Sequence, residues 1–115
     1  MMNEKLVKVD KTTDVCIIRL SFNEINRDQR DELKSRLKNI LEKDGKNFII
    51  DLSKVGFLSS LVIATLIFFS KEVNARGGKI RLFSTSSEPR AVLHLTKMDK
   101  IFRVYDSEKN AIESL

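Results

Sequence analysis

The sequence predicts an α/β fold: one domain over residues 1–115, with a mixed, mainly parallel sheet of about five strands and about four helices. Three observations carry that expectation. Short strand-like runs at Val15–Leu20, Phe48–Leu52 and Lys79–Phe83 alternate with helical patterns, which calls for parallel crossover connections. The run Phe48–Leu52 is apolar except for Asp51, the pattern of a central strand covered on both faces. The first two helical patterns each close on glycine, at Gly45 and at Gly77-Gly78, where a left-handed cap ends a helix cheaply.

Element by element, the order reads β-β-α-β-α-β-α-β-α. Lys5–Val9 alternates weakly and suits an edge strand, with a turn at Thr12, Thr13 and Asp14. Val15–Leu20 is apolar on both faces up to Arg19. Leu33, Leu37, Ile40 and Leu41 recur at i, i+4, i+7 and i+8, an amphipathic helix. Asn26 suits its N-cap, with Gln29 as the reciprocal partner three residues on, and Asp28 sits in the positive first turn. After the Phe48–Leu52 strand, Ser59 or Ser60 opens a second helix, Leu61–Arg76, whose first half is apolar nearly all round and should be buried. Lys79–Phe83 is the fourth strand. Ser86 is the candidate cap of a third helix, Pro89 is tolerated in its first turn, and Ala91, Val92, Leu95 and Met98 form its expected apolar side. Ile101–Tyr105 reads as a fifth strand, and Asp106 or Ser107 caps a closing helix through Ala111, Ile112 and Leu115.

Composition narrows the function. Apolar residues make up 42% and charged residues 32%, a globular balance. The single cysteine, Cys16, lies in an apolar run and reads as a core hydrophobe, in keeping with a reducing, cytoplasmic location. The N-terminus has no apolar signal region, and the longest apolar run, Leu61–Phe69 counting Thr65, is too short to span a bilayer. Membrane insertion is not expected. The net charge of +5 comes from cations interleaved with acids, without a basic block or a basic–aromatic alternation. That pattern favours an acidic protein partner over direct nucleic-acid binding.

The residues for catalysis are sparse. His94 is the only histidine, so no metal site built on paired histidines and no cysteine pair is available. None of the four glycines forms a dinucleotide or P-loop phosphate cradle. Carboxylates such as Asp28, Asp31 and Glu32 fall on the solvated side of a helix. The expectation is a protein that is not an enzyme, with no cofactor and no metal.

One stretch does carry chemistry. Val55, Phe57 and Leu58 are placed to anchor a loop in the core, and Gly56 lets it turn. Ser59 and Ser60 then stand where the second helix begins. Backbone N–H groups are unpaired there and the helix dipole is positive, so a phosphate is favoured by roughly 0.3–1 kcal/mol at an exposed end. Phosphorylation would add about −1.5 to −2 charges without unfolding the helix. The plainer role of either serine is that of an N-cap.

With these residues in view, the chain resembles the STAS-domain anti-sigma factor antagonists of bacteria over nearly its whole length. The family runs an apolar strand into Asp-Leu-Ser, then Val-x-Phe-Ile-Asp-Ser-Ser-Gly, then a helix to Gly-Gly. Here the matching residues are Asp51-Leu52-Ser53, Val55 to Val62, and Gly77-Gly78, with a similar Ser107-to-Ile112 tail. In the ungapped register the family's phosphorylated serine falls on Leu61, the serine before it on Ser60, its aspartate on Ser59 and its glycine on Val62. The family's Gly-x-Leu-Asp loop reads Asn23-Glu24-Ile25-Asn26 and lacks the aspartate. The resemblance implies binding to an anti-sigma factor of the serine-kinase type, freeing a sigma factor, with a serine phosphatase as a further partner of a switched member. The implied contact residues are Asn26, Ser53, Gly56, Phe57, Leu58, Ser59, Ser60, Leu61 and Val62. Either Ser60 or Ser59 substitutes as phosphoacceptor, or this member is unphosphorylated and scaffolds a transporter or stress-signalling complex.

Overall fold

The computed structural model describes residues 6–12, 14–43, 45–100 and 102–115. The elements are β1 (Val7–Lys11), β2 (Cys16–Phe22), α1 (Arg27–Lys43), β3 (Asn47–Val55), α2 (Ser60–Ala75), β4 (Lys79–Phe83), α3 (Ser87–Leu95), a 3-10 turn (Met98–Lys100), β5 (Val104–Tyr105) and α4 (Glu108–Glu113). The strands form one sheet in the order β1-β2-β3-β4-β5. β1 is antiparallel to β2, and each later pair is parallel. The element order and the mixed, mainly parallel sheet match the sequence reading.

Successive strand residues point to opposite faces. Cys16, Ile18, Phe48, Ile50 and Leu82 join α1 and α2 in the main core, where Leu33, Leu37, Val62, Leu66, Phe69 and Val73 are all at most 1% exposed. Phe48 meets Phe69 edge to face, with centroids 5.3 Å apart. Ile17, Ile49 and Phe83 point the other way and are covered by Ala111 and Ile112 of α4. β3 is therefore sandwiched, as its apolar run requires.

Several boundaries differ from expectation. β1 and β2 each extend further along the chain than the sequence reading places them, to Lys11 and to Phe22. β3 continues to Val55 instead of ending at Leu52. In α3 the buried residues are Pro89 and Leu93, four residues apart, with the expected Val92 half-buried against the core. Leu95, expected inside, is 80% exposed, because it lies two residues past Leu93, which turns it to roughly the opposite side of the helix from the Pro89–Leu93 line. Ser86 caps α3 by position without a side-chain bond. β5 is only two residues, Val104–Tyr105, and a 3-10 turn at Met98–Lys100 precedes it. Lys5, Thr13 and Ile101 lie outside the described residues.

Candidate functional site

The site grows from the carboxyl end of β3, the usual location of functional groups in α/β sheets. Between Arg19 and Ser21 the β2–β3 register slips: Arg19 faces Asp51, but Ser21 faces Lys54. The extra β3 residue makes a bulge, a device that re-aims the strand end. The ladder then runs on past the strands. Gly56 N–H donates to the Phe22 carbonyl (2.8 Å) and Phe57 N–H to the Asn23 carbonyl (2.6 Å). A Cβ on Gly56 would run into the Asn23 side chain, so glycine is needed for close approach of the two loops.

From this point the chain enters α2. Leu58 is buried at 3%, whereas Phe57 is 51% exposed. Phe57 is thus a surface residue and not the core anchor the sequence suggested, and Leu58 and Val55 hold the loop instead. Ser59 is the N-cap: its Oγ accepts from the Val62 N–H at 3.4 Å, and its backbone is extended (φ −75°, ψ 167°). Ser60 follows as the first helical residue and is exposed. Leu61 is half-buried, and its carbonyl accepts from Thr65 Oγ1 at 2.8 Å. α2 carries no acidic residue in its first turn, so nothing anionic offsets its positive end.

Two of the residues implied as contacts have no side chain at the surface. Val62 is 0% exposed because helical spacing aligns it with Leu66, Phe69 and Val73 toward the sheet, and Leu58 is buried beside it. The apolar surface expected at the start of α2 shrinks to the half-buried Leu61 and Ile63. Ser53, Gly56, Phe57, Ser59, Ser60 and Leu61 do gather at this end of the sheet, through β3, its loop and the first turn of α2. Asn26 stands three residues beyond Asn23. Its Oδ1 accepts from Gln29 N–H (2.9 Å) and its N–H donates to Gln29 Oε1 (3.0 Å), the reciprocal cap of α1.

Sequence reasoning missed the supports of this surface. Ser53 Oγ accepts from the Thr85 N–H at 2.9 Å, which ties the β4–α3 loop to β3. Ser53 N–H in turn donates to Asp51 Oδ1 at 2.9 Å. Asp51 Oδ2 lies 3.0 Å from Arg19 Nη1, and Arg19 also engages Asp10 (2.7 Å) and Glu108 of α4 (2.7 Å). The hydrogen bond that Arg19 donates to Asp10, followed by the one it donates to Glu108, raises the Arg19 pKa further. The same bond from Arg19 holds Asp10 below its ordinary value. Strand alternation puts Arg19, Asp51 and Asp10 on one sheet face, but the pairing of β1 with β2 had to be known first.

Among the described residues, no group of His, Cys, Asp and Glu is arranged to hold a metal ion. No helix among them is long and apolar enough to cross a membrane.

A family profile described as the STAS domain matches residues 7–111. A Thermotoga maritima protein named "Putative anti-sigma factor antagonist" is 26% identical over 106 residues, covering 91% of this chain and 94% of that protein. The "Anti-sigma F factor antagonist" of Paenibacillus polymyxa is 21% identical over 110 residues, covering 95% and 93%. The crystal structure of an anti-sigma factor antagonist from Mycobacterium paratuberculosis superposes with a TM-score of 0.82 at 22% identity, covering 94% of this chain and 91% of that one, a likeness of fold.

Proposed function

Because the chain belongs to the STAS domain family, we propose that it acts as an anti-sigma factor antagonist, a binding module and not a catalyst. It docks a kinase-type anti-sigma factor in the cytoplasm with the surface formed by Ser53, Gly56, Phe57, Ser59, Ser60 and Leu61, and so releases a sigma factor. Relatives named as antagonists over more than nine-tenths of their own length support this reading. Phosphorylation of Ser60 ends the interaction, and a serine phosphatase restores it.

One observation carries the choice of Ser60: its side chain is exposed on the first turn of α2, while the Ser59 hydroxyl is occupied as the cap. A phosphate on Ser60 would meet unpaired N–H groups and no neighbouring acid. On the partner's side, the same charge would sit inside a desolvated contact. Incubating the protein with its kinase-type anti-sigma factor and ATP, then mapping phosphate by mass spectrometry, tests this. Phosphate on Ser60 is the expected result, and loss of the modification in Ser60→Ala but not in Ser59→Ala completes it. A chain left unmodified by a kinase active on another STAS protein would remove the switch.

A second reading rests on Phe57 and Leu61. A 51% exposed aromatic beside an apolar residue at the family's phosphoacceptor position suits a permanent contact. In that reading the chain is an unphosphorylated scaffold subunit, and a pull-down recovers an assembly that contains no anti-sigma factor.

A further inference from the structure

We propose a second docking surface, the groove between α1 and α2, which takes an acidic protein segment carrying an apolar side chain. The groove encloses about 400 Å³ and is lined by Asp31, Lys34, Ser35, Lys38 and Phe68. Its floor is the half-buried Phe68, with the Lys34 ammonium 4.2 Å from the ring centre. Lys34 and Lys38 are both exposed and stand one helical turn apart, a repulsive spacing on an isolated helix. Asp31 is the only acid among the lining residues, and it already accepts from Arg30 Nε at 2.8 Å. The cationic edge is therefore left without a matching anion.

The small Ser35 keeps the α1 wall low beside the ring. Ser60, Ala64 and Phe68 follow one another at i, i+4 and i+8 of α2, so the groove continues the line that begins at Ser60. An apolar side chain seated on Phe68 would replace the Lys34 ammonium there, and Lys34 and Lys38 would close on carboxylates at either side. That is the pairing of aromatic anchor and complementary charge used at interface centres. The inference goes beyond the antagonist reading and does not depend on phosphorylation.

The test uses the intact protein and two synthetic peptides, one with a central Phe flanked by Glu on both sides and one with every Glu replaced by Lys. Amide chemical shifts are followed as each is added. The acidic peptide should move the signals of Lys34, Ser35, Lys38 and Phe68, and bind at least about tenfold more tightly than the basic one. Its affinity should fall as salt is raised. Lys34→Glu with Lys38→Glu should reverse the preference, and Ser35→Trp should block both peptides by filling the groove. Equal binding of both peptides, or shifts confined to other surfaces, overturns the proposal even if the double variant fails to fold. Ser60→Asp serves as the separating control: it should leave peptide binding within about twofold while weakening an anti-sigma factor. Peptide binding lost in Ser60→Asp would overturn the separate groove, whereas an anti-sigma factor left unweakened would count against the antagonist surface alone.

Discussion

Ser59 and Ser60 are adjacent, yet the structure assigns them opposite energetic roles, and that difference is measurable. Ser59 Oγ satisfies one of the orphan N–H groups of α2, from Val62 at 3.4 Å. Removing an N-cap hydroxyl costs about 0.5–2 kcal/mol. A contact this long lies at the outer limit of hydrogen-bond geometry, so Ser59→Ala should cost about 0.5–1 kcal/mol, a fall in Tm of about 2–5 °C for a domain of this size. Ser60 is exposed and makes no side-chain bond to the helix end, and alanine is the better helix former by up to about 0.5 kcal/mol. Ser60→Ala should therefore be neutral or slightly stabilising. Ser60→Asp adds a charge where α2 has no first-turn acid and should stabilise by about 0.3–1 kcal/mol at low salt. Urea unfolding followed by circular dichroism, with the slope unchanged across the set, measures all three. If Ser59→Ala proved neutral while Ser60→Ala cost 1 kcal/mol or so, the assignment of cap and phosphoacceptor would be reversed and the switch argument would fail with it.

Other perturbations probe the frame around this site. Gly77→Ala should cost about 1 kcal/mol, because φ is +75° with open space beyond. Gly78→Ala should cost more, despite an ordinary φ, since its Cβ would strike the Lys46 backbone carbonyl; thermal melts of the two variants give the ranking. Phe69→Ala should cost about 3–5 kcal/mol through the cavity left beside Phe48, measured by urea unfolding. Arg19→Met should lower stability by about 1–2 kcal/mol, less than for a fully buried pair because Arg19 keeps 31% exposure. Asp10 is held below its ordinary value of 3.8 by Arg19. Its contribution is thus complete above that pH, fades as pH falls through the lowered value, and should vanish from the acid-unfolding profile of Arg19→Met. Leu61→Ser should create a phosphoacceptor at the family position, seen as new phosphate on residue 61 with a competent kinase.

How far the sequence could be read depended on whether each signal was local. The cap of α1 was legible because Asn26 and Gln29 bond within one turn. The end of α2 was legible because Gly77 must take a positive φ. β3 was cut short at Leu52 because the bulge adds a residue between Leu52 and Val55, so the polar Ser53 and Lys54 hide the return to the buried face. In α3, a nine-residue helix, the sequence reading put Leu95 on the core side, whereas Pro89 and Leu93, four residues apart, are the residues buried there. At the candidate site, the two serines stood out, but which one caps the helix is a matter of backbone geometry one residue wide. The Arg19 cluster needed three separate elements to be brought together before its charges could be matched.

The packing of α2 also constrains how a phosphate would act. Val62, Leu66, Phe69 and Val73 are each at most 1% exposed, so the helix is fixed to the sheet along its full length. Thr65 and Ser70 on the same helix are buried as well. A charge added at Ser60 meets an element already buried along its whole inner face, and the favourable dipole interaction strengthens that arrangement. Burial of that face therefore favours an effect at the surface over a rearrangement of α2. What changes is the surface itself: its charge, its hydration, and the fit of whatever touches Phe57 and Leu61. Hydrogen exchange gives the discriminating measurement, because Ser60→Asp should leave amide protection along α2 equal or higher while weakening the partner by about tenfold for every 1.4 kcal/mol of lost contact. Weakened protection at Leu66 or Phe69 would mean that the signal passes through the core, and that the surface mechanism is wrong.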